Sequence, residues 1–139
     1  MIMIERWLEL QPRPDWGVGL DDRNGEHSPL PHAIAERRSQ SQSRTIVWAF
    51  DGRCGVLSDQ ASFDWSPNPT DRLELYIQRP AKGAGNLYLQ LHRHQRPAAV
   101  VAFANRYSVT YHEWLTALGD ALGHAAGLSF RERDEGFDA

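Results

Sequence analysis

His92 and His94 stand two residues apart in Leu91-His92-Arg93-His94. On an extended strand side chains alternate, so both imidazoles project from one face. That geometry supplies two metal ligands. A zinc centre needs at least a third protein ligand and groups behind the ligands that fix the rings. The next histidine, His112, falls where a helix begins. The pair therefore reads as exposed histidines near a hairpin end, and neither a metal nor another cofactor is expected.

Cys54 follows Asp51-Gly52-Arg53. A neighbouring guanidinium lowers a thiol pKa, but a nucleophile also needs a base beside it, and no local signature supplies one. A packed thiol is the simpler reading. Asp22-Arg23-Asn24-Gly25 has the look of a calcium loop, yet with Gly25 at the sixth position the first and twelfth are Leu20 and Pro31, where carboxylates belong. Gly17-x-Gly19 and Gly83-x-Gly85 lack the third glycine of a dinucleotide fingerprint, and there is no phosphate loop or serine-hydrolase elbow. No complete catalytic motif is present.

Two sets of residues keep interface character. Acidic loop residues (Asp15, Asp22, Asp64 and Asp71 among them) are interleaved with Trp16, Phe63 and Trp65, and aromatic anchors in charged surroundings are what protein interfaces use. The second set is the polar side of a predicted sheet: Glu74, Tyr76, Gln78, Tyr88, Gln90 and His92. There His92 with Glu74 would form a base and its orienting group, and Tyr76 or Tyr88 an acid. The candidate partner-binding residues are Trp16, Asp22, Asp64, Trp65, Tyr76, Tyr88 and His92.

The elements that must position these residues follow from periodicity. Arg72 to Arg79 and Asn86 to His94 alternate apolar and polar residues, the mark of strands with one face covered. A symmetric loop would set Ile77 against Leu89, Leu75 against Leu91 and Glu74 against His92. Ala98 to Ala104 is apolar on both faces, and the register with Val101 and Phe103 on the aliphatic side is preferred because larger residues fill a core better. Thr45 to Phe50 is a strand, and Asp51-Gly52 after it is a hairpin turn placing Trp48 opposite Gly55. Ile2 to Leu10 and Ala61 to Trp65 read as further strands. His32 to Arg38 reads as a short helix entered through Pro31, and Ser39 to Ser43 as a surface connector.

Thr110 to Gly127 has helical spacing, with Trp114, Leu115, Leu118 and Leu122 on one stripe. Thr110 and Glu113 suggest a capping box, Val109 and Trp114 a hydrophobic staple, and Gly127 a left-handed cap. Residues 11–31 carry enough prolines and glycines to exclude a regular element, and residues 131–139 read as a frayed, charged tail. The expected fold is a single α+β domain spanning 1–139. It has a meander-like antiparallel sheet of about five or six strands and one main C-terminal helix across one face.

Composition narrows the function classes. The 139 residues include 41% hydrophobic and 24% charged, and the net charge is −3 with a pI of about 6.0. Such a chain builds its own core but lacks the phosphate-neutralising field of a nucleic-acid binder. Met1 to Leu10 lacks the uninterrupted apolar core of a signal peptide, no stretch has the length of a membrane span, and one cysteine forms no internal disulfide. A soluble protein of the reducing cytoplasm is expected. Among small intracellular inhibitors, an immunity protein or antitoxin that binds and inhibits a cognate toxin enzyme has this size and acidity. The alternatives are an enzyme built around His92, Glu74 and Tyr76, and a subunit of a larger assembly.

Overall fold

The computed structural model describes residues 5–40, 44–59 and 61–138. In chain order its elements are β1 (Glu5–Leu10), β2 (Val18–Leu20), a 3₁₀ turn (Asp22–Asn24), α1 (His32–Gln40), β3 (Thr45–Phe50), β4 (Arg53–Leu57), β5 (Ser62–Trp65), β6 (Arg72–Arg79), β7 (Asn86–His92), β8 (Ala99–Ala104), α2 (Val109–Ala126) and β9 (Ser129–Phe137). The α+β class and the main helix are as expected. The strands, however, divide into two sheets, ordered β1-β3-β4-β5 and β2-β8-β7-β6-β9.

The four-stranded sheet is held by local signals. Asp51 and Gly52 both take positive φ, +51° and +77°, which a two-residue turn needs in order to match the twist of its strands. Trp48 then pairs with Gly55, and a Cβ on Gly55 would sit 2.7 Å from Trp48 Cζ2. Alternation along β3 sends Ile46 and Trp48 to one side, where they meet Ile34 of α1 and Leu57. Val47, Val56 and Phe63 go to the other side, into the main core. Both faces of this sheet are covered.

Helix α2 packs against both sheets. Its stripe of Leu115, Leu118 and Leu122 is fully buried, each side chain contributing about 1.5–3 kcal/mol over an exposed one. The helix begins two residues earlier than the capping-box reading. Ser108, not Thr110, is the N-cap, accepting from the Tyr111 amide, and Val109 is exposed instead of stapling Trp114. Gly127 closes the other end at φ +70°, and the Leu128 amide donates to the Gly123 carbonyl at 2.8 Å.

In the five-stranded sheet, Leu73, Leu75, Ile77, Leu87, Leu89 and Leu91 all point into the core. The faces are those expected, but the hairpin is offset by two residues. Ile77 pairs with Leu87, Leu75 with Leu89, Glu74 with Gln90 and Arg72 with His92. The loop therefore runs from 79 to 85, and it is fastened from outside the hairpin: Asp138 accepts hydrogen bonds from the amides of Ala81, Lys82, Gly83 and Gly85 at 2.6–3.1 Å.

In β8 an irregularity between Leu89 and Gln90 of the β7 pairing leaves Val101 without an opposite residue. Parity flips there. Ala102 and Ala104 turn inward with Val101, and Phe103 turns outward opposite Tyr88.

Two further expectations are corrected. Residues 11–31 do contain regular structure: β2 pairs with β8, followed by the 3₁₀ turn capped by Asp21. The charged segment after residue 131 is not frayed. Through Phe137 it forms β9, which runs parallel to β6 as an edge strand. Phe130 anchors it in a groove on α2 left open by Gly119, where a Cβ would lie 2.3 Å from the ring, and Glu132 accepts from Thr116 at 2.6 Å. Ser39 and Gln40 extend α1, whereas 41–43, like 1–4 and 139, lie outside the described residues.

Candidate functional site

The second face of the five-stranded sheet is the side away from α2, and its outward residues come into rows by register. One row runs Arg133, Tyr76, Tyr88, Phe103 and Gly19 across β9, β6, β7, β8 and β2. Three rings thus stand side by side on a rigid platform. Gly19 extends the row without a side chain, and nothing lies within 4 Å of where its Cβ would be. Beside the rings, Gln78 and Asn86 pair through their amides at 2.9 Å. Tyr76, Gln78, Asn86, Tyr88, Gln90 and Glu135 line an open trough of about 530 Å³.

The next row carries the charge. Glu74 is 1% exposed, although its neighbours on the face are half-buried. Its Oε1 accepts from Arg72 Nε at 3.0 Å and from Arg131 Nη2 at 2.9 Å. Burial pushes the carboxyl pKa up, but the two guanidiniums outweigh it and hold the group below its ordinary value. Tyr76 reaches along the strand to place its hydroxyl 3.0 Å from His92 Nε2. Burial, then the nearby Glu74 charge, raises the Tyr76 pKa. Burial, then Arg72, lowers that of His92. Both shifts favour the uncharged forms, a neutral phenol beside a neutral imidazole. The Arg133 guanidinium lies 5.6 Å over the Tyr76 ring.

The other candidate residues scatter. Asp64 is buried on the α1 side of β5, where it accepts from the His27 and Ser28 amides and from Arg53 at 3.0 Å. Trp65 is 2% exposed and belongs to the main core. Neither faces a partner, so the pair that looked most like an interface in sequence is structural. Asp22 is exposed in the 3₁₀ turn. Trp16, 79% exposed, stands beside the Arg13 guanidinium and, with Arg13, Gly19 and Phe103, lines a cleft of about 420 Å³ at the β2 end of the row.

Most of the loop acids are consumed internally. Asp15 accepts from Tyr111 and the Gly17 amide, Asp59 binds Arg13 at 2.7 Å, and Asp71 accepts from the Asn68 and His94 amides at 2.9 Å. Their work is to fasten loops.

Cys54 is buried with its thiol pushed up to about 11, which leaves it protonated and unreactive at neutral pH. His94 is exposed, and His112 is held between Tyr107 and Glu132 at 3.1 Å each. No group of three metal-ligating side chains converges among the described residues, and no helix there is long and apolar enough to cross a membrane.

Arg131 and Arg133, which complete the site, escaped the sequence reading. Their signal was the alternation in Arg131-Glu132-Arg133-Asp134, which sends the two arginines to one face and Glu132 and Asp134 to the other, with Glu135 back on the arginine face. No protein-family model, no curated protein and no solved structure matches the chain.

Proposed function

We propose that this is a protein-binding protein that docks its partner on the outer face of the five-stranded sheet, in the manner of an immunity protein or antitoxin that binds and inhibits a cognate toxin enzyme. The observation that carries this reading is the row of Tyr76, Tyr88 and Phe103 on an uncovered sheet face, flanked by Arg133. Tyrosine loses little conformational freedom for the area it presents, and tyrosine and arginine are both enriched in binding hot spots. A sheet closed on its other face by six leucines and isoleucines holds them in place. The small size, the net charge of −3 and a single buried thiol suited to a reducing cytoplasm favour an intracellular inhibitor.

Capture of the full chain with its native-cell proteins tests the proposal. A stoichiometric toxin-like enzyme should co-purify, and Tyr88→Ala should release it while circular dichroism stays unchanged. Retention of that partner by Tyr88→Ala and by Phe103→Ala would move the interface elsewhere.

One observation favours a second reading. The Tyr76–His92 hydrogen bond beside the buried Glu74 brings together three groups capable of acid–base chemistry. On that reading the protein is an enzyme, and His92→Ala abolishes a turnover that Tyr88→Ala leaves intact. A permanent subunit of a larger assembly would use the same face and would show it as a salt-resistant complex.

A further inference from the structure

Glu74 is an unusual residue for an open sheet face. It is 1% exposed, yet the groups that cover it stand in solvent: Arg72 is exposed over 52% and Arg131 over 66% of its side-chain surface. Burying a carboxylate is costly unless it is paired, and an apolar residue would hold the strand equally well. What the carboxylate adds is position. Both guanidiniums bond to the same oxygen, Oε1. Two long cationic side chains are thereby held over β6, with most of their forks turned to solvent. Arg133, 54% exposed, continues the strip, resting over Tyr76 with Glu135 at 3.8 Å.

We infer that the strip of Arg72, Arg131 and Arg133 is the specificity element of the binding face, and that it receives a carboxylate-rich segment of the partner protein, with Glu74 as the residue that positions the strip. This rests on the proposed protein-binding role and names the partner's chemistry. Guanidiniums present paired donors in a fixed fork that matches a carboxylate. Two of these share one internal counter-charge, so a further anion meets donors already ordered. The aromatic row beside them supplies the apolar contact.

A single-stranded nucleic acid is the other polyanion that an aromatic sheet face could hold. One observation tells against it: the Tyr76 ring has the Arg133 guanidinium over it and its hydroxyl tied to His92, so the ring is not free to stack a base.

The test uses the full chain and three defined probes: an end-blocked octaglutamate peptide, octalysine and octauridylate, titrated by NMR with the arginine Nε–H signals resolved. Octaglutamate should shift Arg72, Arg131, Arg133, Tyr76 and Tyr88. Its affinity should fall by about tenfold or more between about 10 mM and about 150 mM salt, as the screening length shortens from about 30 Å to about 8 Å. Arg131→Glu with Arg133→Glu should abolish binding, and Glu74→Gln should weaken it while Arg72 and Arg131 lose their restricted motion. If the double reversal fails to fold, Arg131→Gln with Arg133→Gln replaces it and should show the same loss. Lys82→Glu, remote from the strip, should change the affinity less than about twofold.

Absence of shifts on this face, shifts that persist in the double variant, or tighter binding of octauridylate at these residues would each overturn the inference. The wider proposal has a separate readout. A captured partner lost by Tyr88→Ala but kept by the double arginine variant keeps the interface and sinks only its acidic partner; a partner kept by both sinks the two together.

Discussion

At the residue scale, hydrogen bonds decide which polar side chains remain available to a partner. Asp64 and Trp65 sit in sequence like an anchor and its charged rim, but two backbone amides and Arg53 claim the carboxylate, and the core claims the ring. His92 goes the other way. Its pKa is lowered by burial and by Arg72, so its titration should lie below the ordinary histidine value of 6.5. A depressed folded pKa stabilises the neutral form, so this contribution is present above the unfolded value and is lost as pH falls through the folded one. Histidine NMR titration checks it; a midpoint above 6.5 would contradict the described environment. The helix cap gives a second test. Ser108→Ala should cost about 0.5–1 kcal/mol in chemical denaturation, while Thr110→Ala should cost little, because Thr110 is exposed inside the first turn and not at the cap.

At the element scale, the parts legible in the sequence are those whose cause is local. The Asp51-Gly52 turn, the Trp48–Gly55 pair and the α2 stripe each follow from residues within a few positions of one another. The outward side of β6 and β7 was legible for the same reason, since alternation assigns Tyr76, Tyr88 and His92 to one face whatever the register. The register itself was not: the loop is fastened by Asp138, from a distant part of the chain. Strand β9 was hidden more deeply. A parallel partner leaves no turn signature, and with charged residues on both faces from 131 to 135 it shows no apolar side.

The docking of β9 carries its own prediction. Gly119→Ala in an exposed helix would add about 1 kcal/mol of stability. Here the new methyl meets the Phe130 ring, so the sign should reverse. Hydrogen exchange should report lost protection along β9 before the rest of the sheet.

At the scale of the whole molecule, α2 is the shared wall of two sheets, and the protein holds together through it. Leu118, fully buried between them, should cost about 2–5 kcal/mol when changed to alanine. Both sheets should then unfold in one transition, and separate transitions by tryptophan fluorescence and far-ultraviolet dichroism would show the sheets to be independent. The parallel pairing of β6 with β9 has a further consequence, in time. Strands β7 and β8 and helix α2 all lie between the two in the chain, and a contact that closes so long a loop forms late. Arg131 and Arg133 arrive with β9, so the outer face reaches its full charge only after the core beneath it has condensed. A partly folded chain would present the tyrosines without the arginines, and selective recognition would begin with the last strand to dock.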